Sequence, residues 1–145
     1  MLNKSKYFSK FIFSATDGTN LYVTDYKYNL IHKVVISRGV VTTLAGTGSS
    51  DSAIGTGTGT AASFNGPAGL SSDGTNLYVG EYSNHLIRKI VISTGVVTMI
   101  AGTGSSGSTN GTGTAASFIG PAGLTTDGTS LYVSEYTNNL IRQID

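Results

Sequence analysis

Three acidic residues and three basic partners recur at matching places in this chain. Asp25, Glu81 and Glu135 each stand seven residues before His32, Arg88 and Arg142. A carboxylate at the end of one strand, facing an arginine on its neighbour, forms a cross-strand ion pair. Because the pattern is stamped into every unit of the chain, it reads as a structural network; catalytic groups have distinct roles and are usually unique. The two histidines, His32 and His85, do not occupy equivalent positions. A catalytic zinc centre needs about three converging protein ligands, usually histidine-rich, and two histidines without any cysteine do not supply them within one chain. There is no Gly-x-Ser-x-Gly nucleophile elbow, and a Ser/His/Asp set is unreadable where serine is so abundant. No metal and no cofactor is therefore expected.

A second set of residues suits binding better than chemistry. Tyr26-Lys-Tyr-Asn29, Tyr82-Ser-Asn-His85 and Tyr136-Thr-Asn-Asn139 place an aromatic ring and an amide at the same turn of each unit. A ring plane with directional hydrogen bonds is suitable equipment for a sugar, a peptide or another protein. The candidate ligand-binding residues are thus Tyr26, Tyr82, Asn84, His85, Tyr136 and Asn138. The competing reading is that the rings pack between units and the Asn residues cap the turns. The run Gly55-Thr-Gly57-Thr-Gly59 lacks the Gly-Lys-Ser/Thr ending and following helix of a phosphate cradle, so nucleotide binding is not expected.

The elements that must position these side chains follow from composition and repetition. Of 145 residues, 20 are Gly, 20 Thr and 18 Ser, and only 12% are charged. That mixture excludes a helical bundle or coiled coil, while 39% hydrophobic content argues against disorder. A net charge of +1 gives no long-range field toward nucleic acid or an anionic membrane. No apolar run approaches the roughly 20 residues that span a bilayer. The basic start is followed only by Phe11-Ile-Phe13, too short for a signal-peptide core. It reads as a non-cleaved segment, though a longer parent chain could carry its own export signal.

Asp17-Gly-Thr-Asn-Leu-Tyr-Val23 returns as Asp73–Val79 and, with one Ser for Asn, as Asp127–Val133, at offsets of 56 and 54 residues. Residues 67–91 and 121–145 share 17 of 25 positions. Within a unit, short β runs alternate with turn signals: 68–72, 76–80, 86–92 and 96–101 in the second, and 11–16, 20–24, 30–36 and 40–45 in the first. β-Branched and aromatic residues dominate them, without helical spacing. The organisation expected is an N-terminal segment (1–10), a first unit with its linker (11–66), a second (67–120) and an incomplete third (121–145). Two long linkers rich in Gly, Thr and Ser, 46–63 and 102–117, read as repeated surface loops or flexible spacers. Phe64 and Phe118 follow them as anchors, and Phe8 falls in register.

The segment Tyr78-Val-Gly-Glu-Tyr-Ser-Asn-His-Leu-Ile-Arg-Lys-Ile90 resembles the NHL repeat, and Asn84-His85-Leu86 spells its name. The other copies read Tyr28-Asn29-Leu30 and Asn138-Asn139-Leu140. The resemblance, of a bacterial type, covers residues 8–145 and implies an all-β chain: a propeller of four-stranded antiparallel blades, in rings of commonly about six. Roles known for such repeats include protein docking, RNA binding, ligand sensing and occasional lyase or hydrolase activity, so fold alone does not name function. Too few positive charges join Lys33, Arg88 and Lys89 to make an RNA-binding face. The reading is a non-enzymatic binding scaffold. The alternatives are a lyase or hydrolase using His32 or His85, and a fragment of a longer secreted protein.

Eleven expected strands fall short of three blades, and a lone copy would expose apolar blade faces. A homodimer closing one ring is therefore expected, with Leu2–Tyr7 of one copy supplying the missing strand to the other.

Overall fold

Asp-Gly-Thr sequences build the first hairpin of every unit. In the second, Asp73 Oδ1 accepts from the amides of Thr75 and Asn76 at 2.8 and 2.6 Å, while Oδ2 accepts from Asn76 Nδ2 and the Tyr78 hydroxyl at 3.0 and 2.8 Å. Asp17 does the same with Thr19, Asn20 and Tyr22. Asp127 repeats it with Thr129, Ser130 and Tyr132. One carboxylate thus closes the turn and pins a tyrosine of the following strand.

Partial burial works against the charge on Asp73, but the hydrogen bonds from Asn76, Thr75 and Tyr78 outweigh it and bring the carboxyl down to about 2. Its folded value lies below the ordinary 3.8, so the stability it contributes is complete above about pH 4 and lost as pH falls through about 2. Asp73→Ala should cost about 1–2 kcal/mol at neutral pH, and the difference from the parent should shrink in acid. Urea denaturation at several pH values checks this.

The computed structural model describes residues 11–50 and 56–145. Their strands are β1 (Phe11–Thr16), β2 (Asn20–Asp25), β3 (Leu30–Val35), β4 (Val40–Ala45), β5 (Gly57–Thr58), β6 (Pro67–Ser72), β7 (Asn76–Glu81), β8 (Leu86–Val91), β9 (Val96–Ala101), β10 (Pro121–Thr126), β11 (Leu131–Glu135) and β12 (Ile141–Ile144). They form three antiparallel sheets in the orders β1-β2-β3-β4, β5-β9-β8-β7-β6 and β10-β11-β12. The chain is all-β, built as β-propeller blades. Its innermost strands β1, β6 and β10 lie side by side around a common axis. Each carries a register shift at the same place, between Phe11 and Ser14, Pro67 and Leu70, and Pro121 and Gly123. Such bulges bend a strand and tighten its twist.

Two differences from the sequence expectation matter. Strand ends move by a residue or so, with Asp25 and Glu81 inside β2 and β7, and Ile36 and Ile92 just beyond β3 and β8. More important, part of the first linker is not a spacer. Gly57–Thr58 pairs with Val96–Val97 on the outer edge of the second blade, and a 3-10 turn over Gly59–Ala61 follows. The second linker has the matching 3-10 turn over Gly113–Ala115. Gly55, Phe8 and Leu2–Tyr7 lie outside the described residues.

The core lies between blades. Tyr22, Ile31 and Ala45 of the first blade pack on Phe64, Leu70, Leu77, Val79, Ile90 and Val97 of the second. Ile87 and Ala101 of the second pack on Phe118, Leu131 and Val133 of the third. No blade buries both faces alone, so each junction stabilises two blades at once.

Candidate functional site

Pairing of β7 with β8 sets Glu81 at the strand end, with Arg88 reaching it from the next strand. Arg88 Nη1 donates to Glu81 Oε1 at 2.6 Å, and both side chains are 0% exposed. Glu81 Oε2 accepts from Asn84 Nδ2 at 2.8 Å and from the Asn65 amide at 3.1 Å, while Asn65 Nδ2 donates to Asn84 Oδ1. The guanidinium also covers the Phe64 ring, 5.5 Å from its centroid. Burial pushes the Glu81 carboxyl up, against the pull of Arg88, Asn65 and Asn84. This hub fastens the incoming linker to the blade.

The third blade repeats the hub with Glu135. It accepts from Arg142 Nη1 at 2.9 Å, Asn138 Nδ2 at 2.9 Å and the Ile119 amide at 2.6 Å. Because Ile119 replaces Asn65, Asn138 Oδ1 has no protein donor. The first blade has a weaker version, with His32 Nε2 3.7 Å from Asp25 Oδ2. Burial lowers the His32 pKa, and Asp25 opposes that shift. The residues Asp25, Glu81, Arg88, Glu135 and Arg142 are therefore all engaged in blade architecture.

The turn after each second strand holds a different device. Asn29, His85 and Asn139 have φ of 55°, 57° and 58°, the left-handed region, which Asn and His tolerate better than most residues. This conformation sends Asn29 Oδ1 across to accept the Gly66 amide of the next blade at 2.9 Å. His85 Nδ1 does the same for the Gly120 amide at 3.1 Å. His85 is thus a blade clamp, and the nitrogen that accepts carries no proton.

The tyrosines lie alongside. Tyr26 and Tyr82 sit 6.3 Å apart edge to face, and Tyr82 and Tyr136 sit 6.3 Å apart with tilted rings, so the three form a row. Tyr26 and Tyr82 are half-buried against Gly66 and Gly120, where an added Cβ would lie 3.0 and 2.8 Å from the rings. Among the described residues no blade covers Tyr136, which is 75% exposed. The structure therefore gathers Tyr26, Tyr82 and Tyr136 into one row. It turns Asn84, His85 and Asn138 inward or toward the neighbouring blade. Among the described residues no group of three or more His, Cys, Asp and Glu could hold a metal ion.

Sequence reasoning missed one more junction residue. Thr24 Oγ1 bridges within β1 and β2 to Phe13, then donates across the blade boundary to the Ala68 carbonyl at 2.9 Å. Ser134 holds the same place in the third blade, contacting the Gly123 amide and carbonyl. The signal was present as Thr24, Gly80 and Ser134 in register, but nothing in the sequence marks which hydroxyl crosses a boundary.

No family model matches the chain, and no curated protein matches it. Solved structures do. A protein of unknown function from Bacteroides thetaiotaomicron superposes with a TM-score of 0.77 at 23% identity, over 86% of this chain and 32% of that one. An auxiliary nutrient binding protein from the same organism gives 0.74 at 24% identity, over 88% and 35%. Another from Bacteroides ovatus gives 0.75 at 22% identity, over 88% and 35%. These likenesses establish the propeller-type fold. The chain spans about a third of the length of the structures it matches.

Proposed function

We propose that this chain is a non-enzymatic binding scaffold of the NHL-repeat type, which works as half of a closed ring completed by a second copy. The observation that carries the reading is an unsatisfied junction. Ile31 and Ile87 are both 0% exposed beneath the following blade, whereas Ile141, in the same register, is 78% exposed. Around Ile141 stand Asn139, Ser134 and Tyr136, the counterparts of Asn29, Thr24 and Tyr26, which hold Gly66 and Ala68 at the first junction. A face equipped in this way is a docking surface for another blade.

With the ring closed, the tyrosine row continues around the linker face, where a peptide, protein or carbohydrate would find stacking planes. Similarity to auxiliary nutrient binding proteins supports a binding role.

One observation favours a second reading, closure by further repeats of the same polypeptide. Gly66 and Gly120 lie under tyrosine rings with φ of 62° and 59°, and the sequence of the first unit has Lys10 in that place. Light scattering on a size-exclusion column separates the two. The dimer reading expects twice the 14.9 kDa chain mass, reduced to one chain by Ile141→Arg with circular dichroism unchanged. A folded monomer of 14.9 kDa at every concentration rejects closure by a second copy.

A further inference from the structure

The first and second blades, and the second and third, are clamped by the same device with different chemistry. At the first boundary Asn29 Oδ1 accepts the Gly66 amide at 2.9 Å; at the second His85 Nδ1 accepts the Gly120 amide at 3.1 Å. Both acceptors stand at a left-handed φ, 55° and 57°, and both glycines are buried. An amide oxygen accepts at any ordinary pH. An imidazole nitrogen accepts only while it carries no proton, and histidine is the side chain that ordinarily takes one up between about pH 5 and 8. In the imidazolium both nitrogens donate, so an Nδ1–H would point at the Gly120 N–H. That buried amide would be left without its acceptor.

The titratable and charged groups on the elements that meet at this boundary are Glu81, Tyr82 and Arg88 of the second blade and Glu135, Tyr136 and Arg142 of the third; residues 102–107 and 117–121 carry none. Glu81 and Glu135 are already committed to Arg88 and Arg142, at 2.6 and 2.9 Å. Neither carboxylate is therefore spare to hold an imidazolium in the clamp. Gly120 is also the joint on which the tyrosine row turns. Its carbonyl accepts the Tyr136 amide at 3.1 Å, and the Tyr82 ring lies against it, 2.8 Å from where a Cβ would stand.

We propose that His85 makes the boundary between the second and third blades an acid-sensitive joint. It loosens when Nδ1 is protonated and frees Tyr136 from Tyr82, while the boundary held by Asn29 keeps the Tyr26–Tyr82 pair in place. The proton comes from solvent and returns to it as pH rises, so the joint is reversible. His85 is only partly buried, which gives the proton its way in. The joint follows from the hydrogen bonds of one boundary and does not depend on what the tyrosine row binds.

Amide hydrogen exchange of the intact chain, followed by NMR from about pH 8 to about pH 5, reads the joint directly. With rates normalised to unstructured-chain values at each pH, protection of the Gly120 amide should fall at least about tenfold as the His85 ring titrates. Gly66, clamped by Asn29, should keep its protection and serves as the control within the same molecule. His85→Asn copies the first boundary and accepts the same left-handed φ, so it should hold Gly120 protected over the whole range. The parent chain alone carries the comparison between the two glycines, whether or not the variant folds. Gly120 protection that stays constant down to about pH 5, an equal fall at Gly66, or a fall that survives in folded His85→Asn would overturn the proposal.

Discussion

Arg88→Met will destabilise the chain by about 3–5 kcal/mol, because it strands a buried carboxylate rather than because it removes an attraction. Glu81 would keep only Asn84 and the Asn65 amide as donors, in a place fully closed to water. The double variant Glu81→Gln with Arg88→Met should recover most of that loss, since a neutral amide there has no charge to desolvate. Arg142→Met should cost less, because the Arg142 side chain is 11% exposed and water can reach the vacated space. Urea denaturation of the three variants decides it. Equal losses in the single and double Glu81/Arg88 variants would count against the account.

Phe64→Ala is the second large effect, expected at about 3–5 kcal/mol. Phe64 is 0% exposed and belongs to the cluster shared by the first and second blades. It also covers the Arg88 guanidinium, so its loss opens the ion pair as well as a cavity. In an array held by nearest-neighbour contacts, weakening one junction uncouples the units beside it. The denaturation curve should therefore broaden or split, with lower apparent cooperativity than the parent. A loss below about 1 kcal/mol with a sharp single transition would show that the linker, not the ring, holds the junction.

Much of this architecture was legible because the chain states it three times. Repetition located the strands, and β-branched and aromatic residues without helical spacing marked them as β. The pairing of Glu81 with Arg88, and of Glu135 with Arg142, followed from spacing alone, since strand ends joined by a short turn face each other. The linkers were harder. Glycine and threonine carry no hydrophobic period, so nothing distinguished Gly57–Thr58, which pairs with β9, from residues that merely connect. The amides of the turns were misleading in another way. Asn84, His85 and Asn138 read as presented binding groups, yet Asn84 and Asn138 turn inward to Glu81 and Glu135, and a left-handed φ, which side-chain identity does not disclose, aims His85, like Asn29, at the next blade.

That left-handed residue has a consequence for how such units can be combined. Each boundary has an acceptor side, with Asn29 or His85, and a donor side, with the amide of Gly66 or Gly120. Two acceptor sides brought together would leave both nitrogen or oxygen acceptors without a proton to receive. Every boundary is accordingly polar, like the head and tail of an arrow, and two identical ends cannot satisfy one another. Any assembly of these units must propagate in a single rotational sense, and it stops when the last arrowhead meets the first tail.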